Sequence, residues 1–450
     1  MNHSTTPVGQ SATVSSGREP LPPWLQTIYL YLVVAIMMAV RPRPSIRFVV
    51  SAFLAYVCYH SSVGCSRATA TSDSLGAYSW GAAFAIVLLA VPLFLWLDDP
   101  MKWRYRNEAA APETYPLWKR IHYALCIIWN FRSIGWSTQV DNVPPPATKS
   151  RAVFLRQAIV AWAKAVLVAD LAQTYIQCQP LFELQGTPAF PTGLRGYLMS
   201  CACLFAYGSK AYANLRVRYI SLAIVCVATG LPGTGDPEMW PDANGKWSDA
   251  YTVRRFWGRT WHQNVRRHLS ACGKAVASAL GFKKGSNASS YTQLYTAFFL
   301  SGLFHCFGDL AVGAGFGKSM PFFLANAAAI TFEDAVIAVA RHLGVGSHHE
   351  STAKTQGKEK EGPLRRWVRI LGYAWVFVWF SYSLRLFVWW AIPFGMGKTR
   401  SNVVPFSIVQ TFAPDSLWVP LRIIRFRDLP VNGLRLIECN LRLNVMKASL

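Results

Sequence analysis

"YTQLYTAFFLSGLFHCFGDLAV", residues Tyr291 to Val312, is apolar over a length that would cross a bilayer, yet it carries His305 and Asp309 in its second half. A bilayer-crossing helix needs roughly 20 residues. An ionisable side chain inside one is costly and points to function. Packing, a proton path and catalysis are the three readings open to His305. Each depends on the stretch being a membrane helix, and its neighbours bear on that. Trp24 to Val40, Ile46 to Ser62, Tyr78 to Leu97, Val153 to Leu171, Gly196 to Tyr212, Pro321 to Ala340 and Leu371 to Ile392 are runs of the same kind. Tyr219 to Leu231 is shorter and reads as re-entrant or buried.

The composition agrees. Of 450 residues, 52% are hydrophobic and 15% charged, where a soluble domain has about a quarter charged. Helices satisfy their own backbone groups in lipid, and the alternation expected of a barrel strand is weak. The expected fold is an all-α polytopic membrane protein of about eight to ten membrane helices.

The formal charge of +23 sits between the apolar runs, and basic clusters stay cytosolic. Arg41, Arg43 and Arg47 follow the first run, and Lys102, Arg104, Arg106, Lys119 and Arg120 follow the third. The stretch from Gln179 to Leu194 has no Lys or Arg, which suits the lumenal side. This places the N-terminus in the lumen. Counting Tyr219 to Leu231 as a separate full span would put the basic stretch after it in the lumen, hence the re-entrant reading. Inner-surface bias and an anionic substrate account for the charge, so no nucleic-acid partner is expected. The ten cysteines are scattered, with no spacing that suggests zinc or a disulfide framework. Residues 1–23 read as a disordered tail and 24–450 as a single integral-membrane domain. Within it, 233–290 forms a basic cytosolic segment and 343–369 a flexible charged linker.

That basic segment contains "YTVRRFWGRTWHQNVRRHL", Tyr251 to Leu269. Read as one helix, it puts Arg255, Arg259, His262 and Arg266 on one face, and Trp257, Trp261, Val265 and Leu269 on another. Such a helix suits a membrane surface. Its arginine forks also match phosphate oxygens.

Together with "SGLFH" at Ser301 to His305, the "RRFWGRTWHQ" segment resembles the wax-synthase-like branch of the membrane-bound O-acyltransferases, and within it the fungal acetyltransferases of terpenoids and meroterpenoids. "WNFRSIGW", Trp129 to Trp136, is similar to an N-terminal signature of that group. One departure stands at Trp240 to Gly245, "WPDANG", where a "WPPLFG"-like stretch is usual. It places Asp242 near the expected substrate path and bears on acceptor preference.

The resemblance implies a bundle with a central reaction chamber, in which an acyl-coenzyme A co-substrate, acetyl-coenzyme A foremost, meets a lipophilic hydroxylated acceptor from the bilayer. It implies no tightly bound cofactor and no metal, and residence in the endoplasmic reticulum. The family's intramembrane histidine falls on His305. Its second polar position falls on or beside His262, with Gln263 and Asn264 adjacent, and sequence does not separate the three. Arg255, Trp257, Arg259, Trp261, Gln263 and Arg266 are the expected substrate- and coenzyme-binding set. Histidine has a reference pKa of about 6.5 and suits general-base work on an alcohol. Asp309, four residues on and on the same helical face, is placed to orient the imidazole. Glu333, Asp334 and Arg385 are candidates for interhelical pairs. The rival within the family is a long-chain wax-ester synthase. The rival outside it is a proton-coupled transporter using His305, Asp309, Glu333 and Asp334. Oligomeric state is left open.

Overall fold

The structure is a computed structural model that describes residues 22–68, 74–106, 110–145, 148–179, 182, 193–343, 363–397 and 407–412. The expected tail falls outside these up to residue 21, as does the expected linker from 344 to 362.

The described residues are helical apart from loops and one isolated bridge between Tyr105 and Trp136. In chain order the helices are α1 (Pro23–Val40), α2 (Pro44–Ala68), α3 (Ser74–Pro92), α4 (Leu117–Trp129), α5 (Arg151–Cys178), α6 (Gly193–Thr229), α7 (Val253–Arg255), α8 (Arg266–Ala279), α9 (Asn287–Ala311), α10 (Met320–His342), α11 (Pro363–Ser383), α12 (Arg385–Ala391) and α13 (Ile408–Phe412). Eight of these segments are long and apolar enough to cross a membrane, which makes the chain an all-α, multi-pass membrane protein. Large apolar side chains stand outward on them, with Phe48 68% and Phe205 75% exposed. Lipid is the environment that tolerates such a surface. The linker expectation needs trimming, because helix α11 already begins at Pro363.

The re-entrant reading of Tyr219 to Leu231 is overturned. α6 runs unbroken from Gly193 to Thr229. Arg216 and Arg218 interrupt the hydropathy of that stretch but not its backbone, since arginine is a good helix former and neither glycine nor proline stands between Lys210 and Thr229. Arg216 is neutralised by Asp242, 3.0 Å away. One continuous helix also removes the topological difficulty. The loops after α1, α3 and α6 now lie on one face, and ion pairs join them: Arg41 holds Asp99 and Glu113, and Arg106 holds Asp236 at 2.7 Å. These are the basic loops, so the positive-inside rule gives them all one sign of sidedness.

The "WNFRSIGW" stretch builds this layer. Arg132, 4% exposed, donates to the carbonyls of Asp242 (2.7 Å) and Pro241 (2.6 Å) and to the Tyr219 hydroxyl (2.6 Å). It fastens the loop ahead of α7 to α6. Asp242, the departure from the family pattern, is thereby committed to structure, bonding Arg216 and the Asn244 N–H.

α3 and α9 pack closely because both contact faces carry glycine. A Cβ on Gly81 would sit 2.3 Å from the Phe307 carbonyl oxygen, and one on Gly308 would sit 2.6 Å from the Tyr78 ring. This close approach brings Tyr78 of α3 up to His305 of α9.

Candidate active site

His305 is half-buried among aromatic rings. Phe323 of α10 stacks on it with centroids 4.6 Å apart, Phe304 lies at 4.3 Å, and Phe387 of α12 meets it edge-on. Its Nδ1 lies 2.8 Å from the Tyr78 hydroxyl. Its Nε2 has no hydrogen-bond partner among the described residues. The imidazole is therefore held by one nitrogen and open at the other.

Asp309 does not orient His305 directly. Its carboxylate, with the residue wholly buried, is turned to the start of α10, where Oδ1 accepts the Ser319 hydroxyl at 2.5 Å and Oδ2 accepts the Ser319 N–H at 2.8 Å. Ser319 Oγ in turn lies 3.0 Å from the Tyr78 hydroxyl. Asp309 thus connects with His305 through Ser319 and Tyr78. Sequence reasoning found neither of these intermediaries. The only local trace is Gly308, whose missing side chain makes room for a ring.

The FWG segment is not the continuous helix its spacing suggests. α7 is a single turn, Phe256–Thr260 is a π-helical turn closed by Trp261 N–H to the Phe256 carbonyl at 2.8 Å, and Trp261 is extended. α8 starts only at Arg266. The break is stabilised by side chains that satisfy the released carbonyls. Gln263 donates to the carbonyls of Trp257 (3.1 Å) and Trp261 (2.6 Å), and Arg266 donates to that of Gly258 (2.8 Å) and to Gln263 Oε1 (3.0 Å). π-turns of this kind are frequent at functional sites.

The cationic face accordingly dissolves. Arg255 is taken by Asp249 at 3.1 Å and lies over the Tyr251 ring. Arg266 is taken as above. Arg259 is exposed, with no hydrogen bond or ion pair among the described residues, and remains available to an anion. The tryptophans do not form a lipid-facing stripe. Trp261 stacks near Phe256, and Trp257 packs on Phe298, Phe322 and Phe380. The Trp257 indole donates to Asn326 Oδ1 at 3.0 Å, as does that of Trp379, also at 3.0 Å. Glu333 accepts from the Val253 and Arg254 N–H groups at 2.9 and 3.0 Å, while Asp334 pairs with Arg254. The expected pairing of these acids with Arg385 is absent. Arg385 instead bonds the Ser381 carbonyl and lies over Tyr382 and Trp389. The acids clamp the FWG segment.

His262, Gln263 and Asn264 differ in their surroundings. Gln263 is consumed by backbone carbonyls. Asn264 makes no hydrogen bond among the described residues. His262 Nδ1 is shut away from solvent without a partner among the described residues. Desolvation pushes the His262 imidazole down to about 4, so it is neutral near pH 7.

A second buried imidazole, His268 on α8, has both ring nitrogens unpartnered. Burial, with Arg267 beside it, pushes it down to about 3. The unfolded chain takes up this proton near 6.5, the folded chain only near 3. The unfolded state therefore binds more protons below pH 6.5, and stability falls as pH drops through that window. His262 contributes in the same sense between 6.5 and about 4. The expected result is a melting temperature in detergent that falls on acidification from pH 7 to pH 4. In His268→Phe the fall is expected to be shallower. An equal slope in both proteins would mean that His268 is not buried neutral.

Residues 240–325, from the loop ahead of α7 into α10, match the model of the membrane bound O-acyl transferase family. Residues 150–228, the α5 and α6 pair, match a model described as the aspirochlorine biosynthesis protein F C-terminal domain. Acetyltransferase ple2 of Rhodocybe pseudopiperita is 35% identical over 324 residues, covering 70% of this chain and 78% of its own length. Acetyltransferase eriL of Hericium erinaceus is 28% identical, covering 76% and 84%. O-Mevalon transferase yanI of Aspergillus niger is 27% identical, covering 59% and 65%.

Proposed function

The chain belongs to the membrane-bound O-acyltransferase family, and from that premise we propose that it moves an acetyl group from acetyl-coenzyme A to a hydroxyl of a lipophilic terpenoid or meroterpenoid, with His305 as general base. The observation that carries the reading is the open Nε2 of an imidazole fixed through Nδ1 and enclosed by aromatic rings. Two of the relatives are named as acetyltransferases, which supports the choice of donor.

In this mechanism Nε2 accepts the hydroxyl proton as the alcohol oxygen bonds to the thioester carbonyl carbon. The carbon–sulfur bond then breaks, and the departing thiolate takes the proton back from Nε2, giving the ester and free coenzyme A. No covalent enzyme intermediate is needed. Neutral His262 serves as the donor to the developing oxyanion; one such donor contributes roughly 3 kcal/mol. Arg259 offers a contact for the phosphates of the coenzyme. The water-soluble donor arrives from the basic face and the apolar acceptor from the bilayer, which this reading assigns to the endoplasmic reticulum.

The test uses microsomes carrying the full chain, radiolabelled acetyl-coenzyme A or a long-chain acyl-coenzyme A, and a panel of hydroxylated terpenoids. Label is expected to move from the acetyl donor into one panel member. Transfer from the long-chain donor alone would replace the reading with wax-type esterification. Transfer from neither would remove the terpenoid acetylation reading and bring proton-coupled transport forward.

A further inference from the structure

Resting on His305 as the base, we propose that Tyr78, Ser319 and Asp309 are positioning residues that keep the His305 proton on Nδ1 and so leave Nε2 free to accept one. The argument is a count of protons along a hydrogen-bonded chain. The Ser319 N–H can only donate, so Asp309 Oδ2 accepts it. The 2.5 Å contact between Ser319 Oγ and Asp309 Oδ1 needs a proton between its oxygens, and with an ionised carboxylate the serine hydroxyl supplies it. Ser319 then has only lone pairs to offer Tyr78, 3.0 Å away, so the single Tyr78 proton fills that contact. The Tyr78 oxygen therefore presents a lone pair to Nδ1 at 2.8 Å, and the proton there belongs to the imidazole. The opposite order would leave the Tyr78 and Ser319 oxygens facing each other with no proton between them. Ring-proton positions are assigned in this way, by the network around them.

The packing keeps the chain dry and in register. Asp309 and Ser319 are fully buried and Tyr78 is 6% exposed, so solvent does not stand in for a missing member. Gly308 admits the Tyr78 ring. When Nε2 takes the hydroxyl proton, the Nδ1–H stays in place, and the imidazolium donates into a chain that ends on a carboxylate. That is the function of the aspartate in a hydrolase triad, here delivered through two hydroxyls.

Asp309→Asn tests this because its outcome is forced by the backbone. The Ser319 N–H must keep an acceptor, so the amide oxygen takes it and the NH2 group faces Ser319 Oγ. The serine must then donate to Tyr78 and Tyr78 to Nδ1, which moves the imidazole proton onto Nε2. In 15N-histidine-labelled protein, with His305→Ala used to assign the signals, wild type is expected to show a protonated Nδ1 and a pyridine-type Nε2. Asp309→Asn is expected to show the reverse. In the transfer assay kcat is expected to fall by about a hundredfold or more in Asp309→Asn and about tenfold in Tyr78→Phe, with both KM values within twofold. Because the residues act as one chain, the double variant is expected to match Asp309→Asn rather than multiply the two losses.

An unchanged 15N pattern in Asp309→Asn, or multiplying losses, would overturn the relay. Activity retained in His305→Ala would instead overturn the base reading, and the nitrogen signals would still report the tautomer. Equal melting temperatures across the variants exclude misfolding as the cause of the losses.

Discussion

His305→Ala is expected to lower kcat by about three orders of magnitude, within the range of about 10²–10⁴ that a positioned general base contributes. The expectation follows from what remains after truncation. Tyr78, Phe323 and Phe387 still line the position, but none of them carries a basic nitrogen to accept the proton that Nε2 takes. If His262 is the oxyanion donor, His262→Ala should cost about a hundredfold by itself. Because desolvation holds it near 4, its removal should leave the shape of the pH–rate profile above pH 5 unchanged. The decisive measurement is initial velocity in microsomes at matched protein levels. A His305→Ala enzyme within tenfold of wild type would take the base assignment away. A His262→Ala enzyme that moves the profile above pH 5 would show that His262 titrates during turnover and is not a neutral donor.

The second large effect concerns stability. Glu333→Ala is expected to destabilise the protein by about 3–5 kcal/mol, from the cost of about 1–3 kcal/mol for each buried donor left without a partner. Glu333 is 6% exposed and accepts three: the N–H groups of Val253 and Arg254, and the Trp375 indole at 3.1 Å. Its neighbour makes the contrast. Asp334 pairs with a half-exposed Arg254, and an exposed ion pair contributes about 0–1 kcal/mol, so Asp334→Ala should be close to neutral. Thermal unfolding in detergent distinguishes the two. Equal shifts for the adjacent substitutions would contradict the assignment of Glu333 as the clamp on the FWG segment.

The sequence carried the spans and the two motifs, because apolar length and residue type are local properties. It misjudged α6, where two arginines lowered the hydropathy of a helix whose backbone has no reason to stop. It misjudged the FWG segment for the opposite reason: the helical spacing was present, but Gln263 and Arg266 satisfy carbonyls that a helix would have used, and periodicity does not register side chains that replace backbone partners. The sequence places Asp309 one turn from His305. Its actual route passes through Tyr78, separated from His305 by 227 positions, and such a partner becomes visible only when α3 lies against α9.

Asn326 ties two tryptophans to one oxygen atom, and this makes the molecule its own gauge. Trp257 belongs to the FWG turn and Trp379 to α11, so any event that draws the turn away from the bundle changes the sharing at that oxygen. The two indole 15N–H resonances would then move together, giving a paired spectroscopic signature of displacement of the FWG turn.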